Sequence, residues 1–177
     1  EKMPEFLQLT PPQQALNRLL DILPVALTSE IVPLGNALGR VTAGAVISRD
    51  NLPPFLRSTV DGYAVMAANT YGASDSLPAY LNLAGEVPMG EQPPTNLSEC
   101  SGMLIHTGGM LPASADAVVM LENTQETAGM IEIFRPVAVG ENVIQAGEDV
   151  QAGEVVISAG RRLRPQEIGG VAAIGIT

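Results

Sequence analysis

Tryptophan is absent from this sequence, and cysteine, histidine and lysine occur once each, as Cys100, His106 and Lys2. A single cysteine excludes an internal disulfide framework and any cysteine-rich zinc or iron–sulfur site. A single histidine excludes a His-cluster metal centre. Basic residues are scarce, 9 against 19 acidic ones, for a net charge of −10. Such a chain lacks the basic stripe that nucleic-acid binding through phosphate neutralisation requires. A local anion site stays open at Arg57 or in the run Arg161-Arg162-Leu163-Arg164. Aromatic residues make up only 3%, so the core must come from Val, Ile, Leu, Ala and Met. Long apolar runs are missing too: the longest, Ile168 to Ile176, falls far short of the roughly 18 residues a spanning helix needs. The opening Glu1-Lys2-Met3-Pro4 lacks the charged-then-apolar pattern of a signal peptide. These absences point to a soluble, cytoplasmic protein with neither a membrane nor a nucleic-acid partner.

What is present is 177 residues, enough for one ordinary domain or two small ones, with 46% hydrophobic content. The 18 glycines and 14 prolines are spread along the whole chain, favouring many short elements in a β-rich α+β architecture. A helix is predicted over Thr10 to Leu23. Thr10 is its N-cap, Pro11 suits the first helical position, Gln13 stands where a capping box wants it, and Leu16, Leu19, Leu20 and Leu23 form one face. Pro24 ends it. Gly35 to Gly39 reads as one helical turn. Strands are expected at Val41–Ser48, Tyr63–Met66, Tyr80–Ala84, Gly102–Thr107, Ala117–Leu121 and Met130–Phe134. Gly140, Gly147, Gly153 and Gly160 mark similar hairpin turns. A short helix from Pro165 to Ile174 closes the chain, with Pro at its start and Glu167 in its first turn.

Three loops gather polar groups beside turns. The first is Ser58 to Gly62, where Asp61-Gly62 is a turn signal because Gly tolerates φ > 0. The second is Thr107-Gly108-Gly109, with Asp116 and Glu122-Asn123-Thr124. The third is Gly147-Glu148-Asp149. Each read alone is first of all a turn. Brought together, they would offer carboxylates suited to Mg²⁺ and bare backbone N–H groups suited to an anion. Thr107-Gly108-Gly109 is too short for a Walker A loop and has no lysine. His106, inside an apolar strand, reads as a packed or hydrogen-bonded histidine. From the residues alone the reading ends at a β-rich α+β protein with a candidate Mg²⁺–phosphate site.

The order of motifs carries more. Leu52-Pro-x-Phe…Ser58-x-x-Asp61-Gly-Tyr-Ala-Val65 resembles the N-terminal signature of the molybdopterin molybdenumtransferase family, which includes the E domain of gephyrin. Ala84-Gly-Glu-Val-Pro-x-Gly90 resembles the next block. Thr107-Gly108-x-x-x-Pro112-x-x-Ala115-Asp116-Ala-Val-Val119…Glu122-x-Thr124 resembles the third, and Gly140-Glu-Asn-Val143…Gly147-Glu-Asp149…Gly160…Leu163-x-Pro165 the last.

The resemblance implies the first two domains of a longer protein. One is an elongated α+β domain, here residues 1–54 plus 137–177. The other is a small β domain inserted within it, placed at 55–136 from where strand signals cluster. A pterin-binding α/β domain would follow. The implied reaction uses adenylylated molybdopterin and molybdate, inserts molybdenum and releases AMP with Mg²⁺ assisting, in a homodimer whose site lies between subunits. The fragment alone is expected to be inactive. By motif position the catalytic residues would be Asp61, Thr107 and Asp149, with Asp61 and Asp149 as metal or nucleotide ligands, and Ser58, Gly62 and Gly108 would line the substrate. The pattern departs at Met66, Leu104 and Ile144, where the family carries arginine. The competing reading is a non-catalytic dimerisation or partner-binding module.

Overall fold

The computed structural model describes residues 9–23 and 27–177. The chain divides into two compact units, Glu1–Pro33 and Leu34–Thr177.

The first unit carries α1, Pro12–Ile22. Its leucines recur at helical spacing as expected. The cap differs: Pro11, not Thr10, takes the N-cap position, and no side chain caps the helix. Pro11 and Pro12 carry no N–H, so a Thr10 hydroxyl has little there to satisfy. The Pro11 carbonyl instead accepts from Gln14 and Ala15 N–H, and Gln13 Nε2 donates to Asn17 Oδ1. Pro24, the expected stop, lies outside the described residues.

The second unit holds ten strands: β1 Val46–Ile47, β2 Arg57–Ser58, β3 Gly62–Val65, β4 Ala79–Glu86, β5 Ser101–Ile105, β6 Ala117–Met120, β7 Thr124–Thr127, β8 Met130–Ile133, β9 Val143–Ile144 and β10 Val155–Ile157. It ends in α2, Pro165–Ala173. Six strands form one sheet in the order β6-β3-β5-β4-β8-β7, antiparallel except for β4 beside β5. Two antiparallel ribbons, β1–β10 and β2–β9, tie residues 46–58 to 143–157.

The strands β3, β5 and β6 are buried on both faces, whereas β8 buries only alternate residues, and the period of two assigns each residue to a side. Tyr63 and Val65 of β3 join Ala117, Val119, Leu81, Ile131 and Ile133 on one face. Ala64, between them, joins Val118, Met103, Ile105, Val87 and Leu111 on the other. This two-sided burial is why Ala117 to Met120 reads as apolar throughout. The mixed, sheet-rich architecture with two helices agrees with the α+β reading.

Several expected elements change extent. The strand predicted over Val41–Ser48 shrinks to Val46–Ile47, with Val41 bridging to Arg162 alone. The helical turn near Gly35 is a 3₁₀ turn, Leu34–Asn36, and Gly39 beyond it has a positive φ. In the last third one device repeats. Glu141, Glu148 and Glu154 each accept the backbone N–H three residues earlier, from Ala138, Gln145 and Gln151. Glu167 does the same for Arg164 at the start of α2, which is the acidic half of a capping box. Bonds to the Arg164 side chain hold the Glu167 carboxyl down to about 2.

Candidate functional site

Loop and strand geometry place Asp61 and Thr107 together. Asp61 immediately precedes β3, and Thr107 follows β5 by two residues. The register Gly62↔Ile105 sets their loops side by side. Asp61 Oδ1 accepts two hydrogen bonds from Thr107, one from the backbone N–H at 2.8 Å and one from Oγ1 at 3.0 Å. The backbone bond, then the hydroxyl bond, lower the Asp61 carboxyl from its ordinary 3.8, with the nearby His106 adding a smaller effect. The loops are zipped further: Ser58 N–H donates to Gly109 O, and Gly108 N–H donates to Ser58 O. Gly108 has φ +84°, a conformation glycine adopts without strain, with open space where a Cβ would stand.

Two residues outside the expected set complete the cluster. Glu86 Oε1 lies 2.8 Å from His106 Nε2, and His106 Nδ1 lies 4.0 Å from Asp61 Oδ1. The imidazole therefore stands between two carboxylates. Glu86 and His106 are 20 residues apart, and only the parallel pairing Glu86↔Leu104 brings their strand ends together. No local sequence signal marks that pairing.

The other expected site residues take different places. Ser58 is buried, and its hydroxyl donates to Val60 O and accepts from Val60 N–H, so it shapes the loop from within. Gly62 is buried as the first residue of β3, and its φ is not among the positive ones. Expected as a turn glycine, it serves close packing instead: a Cβ there would lie 2.0 Å from Val119 O. Asp149 is exposed on its own loop, held through its N–H to Leu52 O. Among the described residues no hydrogen bond or ion pair joins Asp149 to Asp61 or Thr107. Arg57 stacks on Phe55, 5.5 Å from the ring centroid, and pairs across the ribbon with Ile144.

The residues present do not make a metal cage. Asp61 offers its second carboxylate oxygen, yet among the described residues no group of three His, Cys, Asp or Glu side chains is placed to hold an ion. No described helix is long and apolar enough to cross a membrane.

Residues 10–175 match the family described as the MoeA N-terminal region, domains I and II. The chain belongs to this family. It is 34% identical over 167 residues to the molybdopterin molybdenumtransferase of Haemophilus influenzae, covering 92% of this chain and 39% of that protein. With molybdopterin molybdenumtransferase 2 of Mycobacterium tuberculosis it shares 35% over 145 residues, 82% of this chain and 36% of the relative. The crystal structure of the molybdopterin biosynthesis MoeA protein from Pyrococcus horikoshii superposes with a TM-score of 0.88 at 38% identity, over 96% of this chain and 45% of that one. The chain thus spans less than half the length of the MoeA proteins it matches. The matched region includes both loops just described, with Asp61 and Thr107 inside residues 10–175.

Proposed function

We propose that this chain is the N-terminal part of a molybdopterin molybdenumtransferase acting in molybdenum cofactor biosynthesis. The whole protein would insert molybdate-derived molybdenum into adenylylated molybdopterin and release AMP. The observation that carries the reading is the Asp61–Thr107 pair, a carboxylate doubly clamped by the N–H and hydroxyl of a second loop, on the surface of the sheet end.

The clamp defines what Asp61 is suited to do. A carboxyl held below its ordinary value stays ionised at neutral pH and is a weak proton acceptor, because the best general bases titrate near the working pH. Asp61 therefore acts by orientation and electrostatics. It offers Oδ2 to a donor on the substrate or to a nucleophilic water, and its fixed charge needs no reorganisation as the adenylate linkage breaks. Thr107 holds the carboxylate's direction, and Gly108 leaves room for a ligand to approach the loop.

The reading includes a homodimer in the cytoplasm whose remaining domains supply the pterin site, with Asp149 contributing from this chain beside Asp61 and Thr107. It also takes the six-stranded sheet as the inserted domain, 55–136, within the α+β domain formed by 1–54 and 137–177. AMP release tests the composite site. Given adenylylated molybdopterin and molybdate, the full-length protein should release AMP while the 177-residue chain should not. Release from the isolated chain at the full-length rate would end the claim that the site is shared.

A further inference from the structure

Arg57 stands apart from the other arginines. Seven of the eight are exposed; Arg57 alone is half-buried. Its Nε is shielded from solvent and has no hydrogen-bond partner. Among the described residues no carboxylate pairs with its side chain, although the chain carries 19 acidic residues. The guanidinium is braced instead by the Phe55 ring. A desolvated donor on a fixed cation is costly to leave unmade, and the acidic surface had every opportunity to supply an acceptor.

Its backbone position places it beside the site already described. Arg57 bridges to Met110 on one side and pairs with Ile144 on the other. The next residue, Ser58, exchanges main-chain hydrogen bonds with Gly108 and Gly109. Arg57 thus sits on the same zipped loop pair that aligns Asp61 with Thr107. The planar, permanently charged fork of a guanidinium matches the oxygens of a tetrahedral oxyanion, and stacking on an aromatic ring fixes its plane before the ligand arrives.

We propose that Arg57 is an oxyanion-binding residue of this site, taking a tetrahedral dianion of the phosphate class. The assignment of that ligand to the reaction rests on the transferase reading; the binding itself does not. Phosphoryl groups of a nucleotide or pterin and molybdate share this chemistry.

The test follows the Arg57 Nε–Hε resonance of the full-length, ¹⁵N-labelled protein during titration with inorganic phosphate and, separately, with molybdate, at constant ionic strength set by chloride. A saturable shift with either ion supports the proposal. Saturation by phosphate alone assigns a phosphoryl group, and saturation by molybdate alone assigns the metal oxyanion. Arg57→Gln should weaken calorimetric affinity for the responding ion about tenfold or more, and Arg57→Lys, which keeps the charge, should weaken it less. No saturable shift with either ion overturns the proposal, as does unchanged affinity in Arg57→Gln. Turnover by the same preparation separates the two claims. A shift without molybdenum insertion leaves the anion site and removes the transferase reading; insertion without a shift does the reverse.

Discussion

Replacing Gly62 with alanine tests why the Asp-Gly pair is where it is. The added Cβ would lie 2.0 Å from Val119 O, 2.9 Å from Val119 C and 3.1 Å from Val118 Cγ1. The obstacle is main chain, in a strand pair whose register runs Gly62↔Met120 and Tyr63↔Val119, so no rotamer change relieves it. β3 and β6 must move apart by more than 1 Å, through the wall that both buried clusters share. Overpacking of this kind typically costs about 1–3 kcal/mol, and a backbone obstacle puts Gly62→Ala at the upper end. Alanine's lower unfolded-state entropy returns about 0.4–1 kcal/mol, leaving a net loss of about 2 kcal/mol or more. At about 2–4 °C per kcal/mol for a chain of this size, the melting temperature should drop by about 4–8 °C. Gly108→Ala is the control. It meets open space and carries only the strain of φ +84°, about 1–2 kcal/mol. Calorimetric melts of the two variants decide the matter. A Gly62→Ala protein melting within about 2 °C of wild type, or above Gly108→Ala, would refute the close-approach argument.

Two further outcomes are expected. Thr70 is buried, and its Oγ1 donates to Ala67 O at 2.8 Å and accepts from Val137 N–H at 3.1 Å. Thr70→Val leaves the buried Val137 N–H unpaired and should cost about 1–3 kcal/mol in urea unfolding, and an unchanged midpoint would contradict this. Asp61 is depressed below its ordinary 3.8 by Thr107, so the clamp's stabilisation is fully present above 3.8 and is lost as pH falls through the folded value. Carboxyl NMR should show a wild-type midpoint below 3.8 that moves part of the way back in Thr107→Val, since the backbone bond remains; a wild-type midpoint at or above 3.8 would be wrong for this geometry.

Where burial is two-sided, the strands were legible. β5 and β6 lie within a residue or two of their expected limits because apolar runs are the direct imprint of the two cores, and β8 does so because its alternation buries Ile131 and Ile133 in one of them. β7 was not legible. Thr124-Gln125-Glu126-Thr127 is a polar edge strand, defined only by its pairing with β8. The ribbon β2–β9 joins residues some 86 positions apart through two-residue segments too short to carry a pattern. Within the site, Asp61 and Thr107 were found through motif order, and the sheet register explains why two distant motifs meet. Glu86 and His106 escaped because a strand end looks like any other turn until its neighbour is known. Gly62 was identified as important for the wrong reason: its value is the missing Cβ, not a positive φ.

The central claim is that the clamped carboxylate at Asp61 takes part in the chemistry of the full-length protein. Full-length Asp61→Asn keeps the side chain's shape and can still accept a hydrogen bond from Thr107, but removes the fixed charge. With adenylylated molybdopterin and molybdate at saturation, its rate of AMP release should fall by about 100-fold or more, with the melting temperature little changed. Release at the wild-type rate by a folded Asp61→Asn protein would contradict the account.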